Sequence, residues 1–300
     1  MGDSFVEERD PTAVFSAIAD ETRLGIIQAL WEAEDESVPF STLREAVGMA
    51  DSGQFNYHLS KLVGPFVTQT EEGYSLTEAG KRVNGALASG TYTMETAVSP
   101  ISLPEPCRAC GGAKTFTYED EAIRIECADC PVTWGAGVPP AVFEGYDREA
   151  FPRVASDYLR SCFHHLASGF CWLCHGPVEA TVHPAPEMES ADLASENLPA
   201  TFRGDPGDIP MVDLPCRRCG STASMTLEYL FLDHPAVASF YHDNGVDLRD
   251  ELVWNVPHRS LDNMSIEREG PLRARVTYRA DGASLALVVD EHLDVVDIRE

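Results

Sequence analysis

Lysine is scarce in this 300-residue sequence: only three of its 22 basic residues are lysines, against 49 acidic residues and a net charge of −27. No apolar run approaches the roughly 18 residues that a membrane-spanning helix needs. The first ten residues are acidic, contain no apolar stretch and do not resemble a signal peptide. These absences predict a cytoplasmic protein with no membrane partner, and the length favours about two domains.

Catalytic motifs are missing as well. The sequence contains no nucleophile elbow, no P-loop and no dinucleotide-binding glycine pattern. Carboxylates are so abundant that no pair of them stands out, and the nine histidines are scattered along the chain. We therefore expect a protein that is not an enzyme.

The acidic, lysine-poor composition resembles that of proteins from halophiles that accumulate salt. An acidic surface supports solubility there. At ~1 M salt the Debye length is only about 3 Å, so self-repulsion of the protein is small, and so is its long-range attraction to phosphate. The alternative is an ordinary acidic protein that never meets nucleic acid.

Residues 11–92 combine helical periodicity with a hairpin signal. Apolar residues recur at helical spacing in 12–19, 24–31 and 43–47, and Phe55, Leu59 and Leu62 predict the buried side of a fourth helix. Alternating residues on both sides of 71–73 predict a hairpin, and a last helix follows over 78–87. This order of elements predicts a winged helix-turn-helix, which inserts one helix into the DNA major groove.

The outward side of the fourth helix is polar, as a DNA-reading surface requires. Amide side chains can pair with adenine, and hydroxyl or lysine side chains reach phosphates or bases. His58 is ambiguous between packing and a phosphate contact, and the whole face could instead be the solvated side of a plain helical domain. The candidate DNA-binding residues are Arg44, Ser52, Gln54, Asn56, Tyr57, Ser60 and Lys61, with Gln69 and Thr70 on the hairpin.

Three motifs in this segment resemble the ArsR-type winged helix family, in the versions common in haloarchaea. They are Ala-Asp-Glu-Thr-Arg-Leu at 19–24, Asn-Tyr-His-Leu-x-x-Leu at 56–62 and Tyr-x-Leu-Thr-x-x-Gly at 74–80. The resemblance covers about residues 11–90. It implies a homodimer formed through the outer helices, with two recognition helices on double-stranded DNA half-sites about 10 bp apart.

One feature departs from that family. Many of its members sense metal through cysteines on their own helices, whereas this chain has no cysteine before Cys107. We therefore expect no metal sensing within the winged helix itself. The hairpin tip is also acidic, with Glu71 and Glu72, which is unfavourable beside phosphate.

Eight of the nine cysteines form four C-x-x-C pairs. The first two pairs are separated by sixteen residues that alternate around an acidic turn, which predicts two knuckles joined by a hairpin, a zinc ribbon over 106–135. The alternative is a pair of redox sites, although no thioredoxin-like context surrounds them. The predicted ligands of this first site are Cys107, Cys110, Cys127 and Cys130.

The other two pairs are separated by forty-one residues. We predict a second zinc ribbon over 170–222, interrupted by an acidic, proline-rich insertion at 183–212. His175 completes the C-x-x-C-H pattern of c-type haem attachment, a weaker alternative because a partner C-x-x-C is available. The predicted ligands are Cys171, Cys174, Cys216 and Cys219. Cys162 stands alone and is expected to be a buried thiol.

All-thiolate coordination leaves no open metal position, so we predict two structural zinc ions. The rest of the chain predicts a helix over 148–167 interrupted near Pro152 and a second helix near 235–244. Strands are predicted at 252–256, 272–278, 284–289 and 293–298, with a tight turn at Asp281-Gly282. The fold class is α+β: a winged helix-turn-helix, zinc-ribbon-like elements, then a small antiparallel sheet with helices.

The predicted organisation is an acidic tail at 1–10, the DNA-binding domain at 11–92, a proline-spaced linker at 93–105 and a regulatory domain at 106–300, in which 223–300 holds the final helix and sheet. The function expected from it is promoter binding by a homodimer that blocks or recruits the transcription machinery. The alternative is a zinc-ribbon scaffold that binds other proteins, with the winged helix as a protein-binding surface.

Overall fold

The computed structural model describes residues 9–90, 94, 97–107, 109–185, 209–256, 263–267 and 270–300. The chain divides into two compact units, Met1–Met94 and Glu95–Glu300. Helices dominate the first, and several small antiparallel sheets with helices build the second, so the predicted α+β class is confirmed. The predicted acidic tail and acidic insertion lie outside the described residues over 1–8 and 186–208.

Five helices and one hairpin make up the described part of the first unit. In chain order they are α1 (Pro11–Ile18), α2 (Glu21–Glu32), α3 (Phe40–Ala46), α4 (Ser52–Leu62), β1 (Val67–Gln69), β2 (Tyr74–Leu76) and α5 (Glu78–Ala88). Strand β1 pairs antiparallel with β2, so the predicted hairpin is confirmed. Val38 adds a short bridge to Tyr74 on the outer side of β2.

Helix α4 is fixed at its start by a cap and along its length by burial. The Asp51 side chain accepts a hydrogen bond of 2.8 Å from the backbone NH of Gln54, which satisfies one of the free donors of the first turn. Phe55, Leu59 and Leu62 are at most 1% exposed and belong to the core of this unit. The helix therefore has one orientation, with its apolar side inward, as the sequence predicts.

Removing the cap of α4 gives a first testable change. We expect Asp51→Ala to lower the free energy of unfolding of the first unit by about 1 kcal/mol, because the Gln54 NH loses its acceptor. Asp51→Asn keeps an acceptor oxygen and should stay close to the wild type. Denaturant unfolding measures both variants, and an equal loss in the two would contradict the capping role.

Three antiparallel sheets and two α-helices form the described part of the second unit. The elements are β3 (Val98–Leu103), β4 (Lys114–Glu119), β5 (Ala122–Cys127), β6 (Thr133–Gly137), α6 (Phe151–Ala167), β7 (Thr181–Pro184), β8 (Pro210–Pro215), β9 (Thr222–Thr226), α7 (Pro235–Asp243), β10 (Met264–Glu267), β11 (Arg273–Ala280), β12 (Ala283–Val289) and β13 (Val295–Arg299). Short 3₁₀ helices cover Pro140–Phe143, Arg148–Ala150 and Leu227–Phe231. Strands β3–β6, β7–β9 and β10–β13 form the three sheets, each in sequence order.

One hydrophobic core joins the three sheets. It contains Phe116 of β4, Val212 of β8 and Leu285 of β12, together with Leu159 on α6. Helix α6 buries one stripe at helical spacing, which includes Phe163 beside Leu159. The sheets are thus parts of one unit rather than independent modules.

Two predicted hairpins are confirmed by their turns. Asp120 and Glu121 both have positive φ, 51° and 57°, between the paired residues at the ends of β4 and β5. Asp281 and Gly282 likewise have φ of 45° and 84° between β11 and β12. Two consecutive residues with positive φ are the mark of the type I′ turn, whose twist matches that of the flanking strands.

The predicted linker is wrong over residues 98–103, which form strand β3. Proline normally disfavours a strand, but β3 is at the edge of its sheet and its pairing with β4 shifts register between Val98 and Ile101. Pro100 lies in that irregularity. An edge strand with a bulge is where a sheet tolerates proline.

Two other predictions differ from the structure. Residues 252–256 are turns, not a strand: the carbonyl of Leu252 accepts hydrogen bonds from the NH groups of Asn255 and Val256. Their apolar alternation instead matches a turn that buries Val253 and Val256. Residues 148–167 are a 3₁₀ turn followed by an uninterrupted helix, since Pro152 falls in the first helical turn, where its missing NH costs nothing.

Candidate metal centres and the exposed face of helix α4

The β4–β5 hairpin brings the first four predicted ligands together. Cys107 and Cys110 precede β4, Cys127 ends β5 and Cys130 follows it. The Sγ atoms of Cys107 and Cys130 are 3.8 Å apart, and those of Cys110 and Cys127 are 3.4 Å apart. Four sulfurs at zinc–sulfur bonds of about 2.3 Å in a tetrahedron would be about 3.8 Å from one another, so this cluster fits one zinc ion.

The second cluster has the same dimensions. The Sγ atoms of Cys171 and Cys219 are 3.8 Å apart, and those of Cys174 and Cys216 are 3.4 Å apart. All four sulfurs lie within 4.8 Å of one another, as in the first cluster. Strands β8 and β9 deliver Cys216 and Cys219 on the turn between them, and a bridge from Val178 to Cys216 attaches the other knuckle.

Three of the four C-x-x-C pairs share one turn geometry. In the knuckles that begin at Cys107, Cys171 and Cys216, the NH of the residue after the second cysteine bonds to the carbonyl of the first, over 2.7 to 3.0 Å. That residue has positive φ in each: Gly111 at 79°, His175 at 57° and Gly220 at 75°. His175 therefore occupies a glycine position of a metal knuckle, which explains the C-x-x-C-H pattern without haem.

The positive φ of the knuckles gives a second testable change. We expect Gly111→Ala to cost about 1 kcal/mol of stability, because an L side chain in the left-handed region is strained although nothing lies within 4 Å of the added Cβ. Gly85→Ala is the control, since Gly85 lies inside helix α5 with the same open space, and it should be stabilising. Thermal unfolding compares the two, and equal shifts would contradict the knuckle geometry.

Hydrogen bonds favour the thiolate form of Cys219 and Cys127, whereas the pKa values of the Cys110, Cys130 and Cys174 thiols are raised. The Ser221 hydroxyl, 3.0 Å from the Sγ of Cys219, and the Ser221 backbone NH lower the pKa of the Cys219 thiol to about 6. Burial acts to raise the pKa of Cys127, but hydrogen bonds from the Asp129 NH and from Cys110 prevail and leave it at about 7. Because zinc binds the thiolate, these contacts prepare the sulfurs for metal.

The prediction of two structural zinc sites is thus confirmed: eight cysteines form two four-sulfur groups whose dimensions suit one zinc ion each. Four thiolates close the coordination shell. Cys162 lies on α6 outside both groups and is half-buried, and burial raises the pKa of its thiol. The predicted insertion at 183–212 is too long at both ends, because β7 reaches Pro184 and β8 begins at Pro210, and these strands pair.

The candidate DNA contacts on α4 all lie on its exposed side. Two internal contacts organise them: the Ser60 hydroxyl donates to the Tyr57 carbonyl at 2.8 Å, and the Lys61 Nζ lies 5.4 Å from the centre of the Tyr57 ring. Ser52, Gln54, Asn56, Tyr57, Ser60 and Lys61 are exposed, as are Gln69 and Thr70 on the hairpin, while Arg44 on α3 is half-buried. Their binding of DNA stays a prediction.

His58 contacts Asp20 rather than pointing outward. Its Nδ1 lies 3.2 Å from the carboxylate that also accepts a hydrogen bond from the Arg23 NH at the start of α2. His58 and Asp20 are both partly buried. Of the two roles that the sequence left open for His58, packing between α2 and α4 is the one observed.

Sequence comparison assigns most of the chain to one family. Residues 104–295 match the family described as Domain of unknown function (DUF7351), which is more than half of the chain and includes both cysteine clusters. The chain belongs to this family. Residues 11–87 match a second one, Domain of unknown function (DUF7347). No curated protein sequence matches the chain. No described helix is both long and apolar enough to cross a membrane.

Proposed function

We propose that this DUF7351 protein is a transcription regulator that binds double-stranded DNA as a homodimer through a winged helix-turn-helix of the ArsR type. The observation that carries the proposal is helix α4: a buried apolar side, with Phe55 and Leu59 in the core, and an opposite side of exposed polar residues. It follows α3 after a short turn, and the β1–β2 hairpin follows it. That is the arrangement of a recognition helix with its wing.

The chemistry of the exposed side suits base reading. The amides of Gln54 and Asn56 can each donate to and accept from adenine in the major groove, while Lys61 supplies a charge for phosphate or guanine. A helix of eleven residues is about 16 Å long, enough to lie in a major groove about 12 Å wide. Ser52, the first residue of α4, is exposed and has a hydroxyl that can donate to a phosphate.

Local charge weakens the main objection to DNA binding. The whole chain carries −27, but residues 37–70, from before α3 to the end of β1 and Thr70, contain two acidic and two basic residues. The segment that contains α4 therefore has no net charge up to the acidic hairpin tip at Glu71 and Glu72. At high ionic strength the distant carboxylates are screened within a few ångströms.

Exposed apolar side chains on the outer helices support the homodimer. Phe15 on α1 and Trp31 on α2 are 68% and 55% exposed, unusually high for such large apolar residues. A second copy of this chain would cover them. In this proposal the zinc clusters stabilise the second unit, which has a regulatory role and does not contact the DNA bases.

A protein-binding scaffold is the second candidate function, favoured by the acidic hairpin tip. Glu71 and Glu72 are exposed at the position where a wing would meet DNA phosphate. In that case the exposed side of α4 would contact a protein partner.

Selection from a pool of random duplexes tests the proposal. The purified zinc-loaded protein should enrich an inverted repeat with half-site centres about 10 bp apart, because two recognition helices of a dimer address successive major grooves. A pool that stays unenriched, at salt concentrations from low to molar, would reject DNA reading and favour the scaffold.

A further inference from the structure

The second zinc knuckle carries an unusual surface that the proposed function does not use. Three large apolar side chains in four consecutive positions point into solvent: Phe170 is 50% exposed, Trp172 39% and Leu173 58%. Apolar residues of this size cluster on a surface when something covers them. The knuckle face, as defined here, consists of Phe170, Trp172, Leu173, His165, His175 and Arg218.

Ring contacts hold part of this face together. The His165 ring lies 5.8 Å from that of Phe170 and 5.5 Å from that of His175, and its Nε2 lies 3.3 Å from the Nδ1 of His175. Arg218, on the facing knuckle, lies close to the first knuckle. A Cβ atom added at Gly176 would be only 2.6 Å from the Cβ of Arg218. The four cysteine sulfurs beneath fix both knuckles, so the face is preorganised.

The sequence around the two knuckles of the second cluster lacks acidic residues, unlike the rest of the chain. Residues 158–178 and 214–227 contain no aspartate or glutamate, although the chain has 49 acidic residues. Glu179, next to the first of these ranges, pairs with Arg217, and Asp233 pairs with His164 of α6. Within the described part of the chain, Arg218 makes no ion pair, and its charge is available to an anion.

We propose that the knuckle face binds single-stranded nucleic acid, with unpaired bases stacked on Trp172 and Phe170 and a phosphate on Arg218. Exposed rings on one knuckle and an exposed cation on the facing knuckle provide what an unpaired strand needs, since every base has a face to stack and every nucleotide a phosphate. A duplex keeps its bases inside the stack and could use only Arg218. A protein partner would have to supply pockets for these side chains, whereas an unpaired strand needs only exposed rings and a cation.

Binding of a fluorescent oligothymidylate of about 15 nucleotides tests this proposal, because single-strand sites span roughly 4 to 16 nucleotides. The zinc-loaded full chain is used with Asn56→Ala and Lys61→Ala, so the outcome does not depend on the duplex site of α4. We expect saturable binding that Trp172→Ala weakens about tenfold or more and that Trp172→Phe largely restores. Tyr146→Ala, which removes an exposed aromatic side chain of the second unit outside the knuckle face, is the control and should bind normally.

Arg218→Ala separates the charge from the stacking. The slope of log affinity against log salt should fall in magnitude by about 0.7, the contribution of one phosphate contact on a single strand. Zinc content and thermal unfolding are measured for each variant, and Phe170→Ala, which lies outside the C-x-x-C loop, repeats the test if Trp172→Ala loses zinc.

Three results would overturn the proposal. They are the absence of oligothymidylate binding at low salt, equal binding by the wild type and Trp172→Ala with its zinc intact, or equally tight binding of a duplex of the same length. If a glutamate-rich peptide instead binds in a Trp172-dependent manner while oligothymidylate does not, the face is a docking surface for an acidic protein segment.

Discussion

Replacing Cys216 by serine is expected to reduce bound zinc from two ions per chain to one and to unfold much of the second unit. Cys216 is buried, its backbone NH bonds to the Ser221 carbonyl, and it links β8 to the knuckle through the bridge to Val178. With one thiolate lost, the remaining three cannot close the tetrahedral shell.

The size of this effect follows from the coupling of metal binding to folding. Binding of a structural zinc contributes about 10 to 16 kcal/mol in small zinc-binding peptides, as much as or more than the roughly 5 to 15 kcal/mol by which a domain is stable. Loss of one zinc site therefore removes a free energy of stabilisation about as large as the whole free energy of unfolding of a domain. Strands β8 and β9 carry core residues such as Val212, so the core should open with the site.

Metal analysis and fluorescence-detected unfolding measure this prediction. Trp134 and Trp254 pack 5.4 Å apart against the core of the second unit and report its unfolding. Cys162→Ser is the matched control, because Cys162 lies outside both clusters and should leave two zinc ions bound. Two ions retained in Cys216→Ser, or an unchanged unfolding curve, would contradict the structural role of the second site.

The double variant Asn56→Ala with Lys61→Ala is expected to lose affinity for the selected duplex by about 100-fold or more. A bidentate contact from an amide to adenine is worth about 1 to 3 kcal/mol, and 1.4 kcal/mol corresponds to a factor of ten. Both side chains are exposed, so their removal leaves the core of the first unit unchanged. In a homodimer each loss occurs twice.

Lys81→Ala controls for the loss of charge. Lys81 is on α5 and is not one of the candidate DNA-binding residues, and its Nζ is 2.7 Å from the Glu78 carboxylate. It should bind the duplex like the wild type, and fluorescence anisotropy at several salt concentrations compares the three proteins. If Lys81→Ala weakens binding as much as the double variant does, the loss of affinity reflects net charge alone, and the prediction that α4 contacts bases is wrong.

The sequence predicted the metal ligands well because their geometry is local. A C-x-x-C pair places two sulfurs on one turn whatever surrounds it, so spacing alone identified all eight ligands. The backbone of His175 was beyond such reasoning. Only its positive φ reveals that it takes the place of Gly111 and Gly220 in the knuckle turn.

Elements whose pattern depends on distant partners were predicted less well. Strand β3 contains Pro100, and its identity comes from pairing with β4 at the sheet edge. The alternation at 252–256 suggested a strand, but that segment docks on α6, where the NH of Val253 bonds to the Ser156 hydroxyl at 2.7 Å. Strand β10 has only four residues, and pairing with β11 defines it.

The buried side of α4 shows the opposite case. Phe55, Leu59 and Leu62 are spaced i, i+4 and i+7 and fix a single orientation of the helix. The exposed side could therefore be predicted residue by residue. The role of His58 could not, because its contact with Asp20 joins two helices.

The most direct test of DNA reading is genome-wide occupancy of the tagged protein in its native cell, beside the Asn56→Ala/Lys61→Ala variant at equal abundance. DNA reading by α4 predicts discrete peaks that share an inverted repeat and that disappear in the variant. An absence of peaks, or peaks that the variant retains, would contradict it and assign the exposed side of α4 to a protein partner.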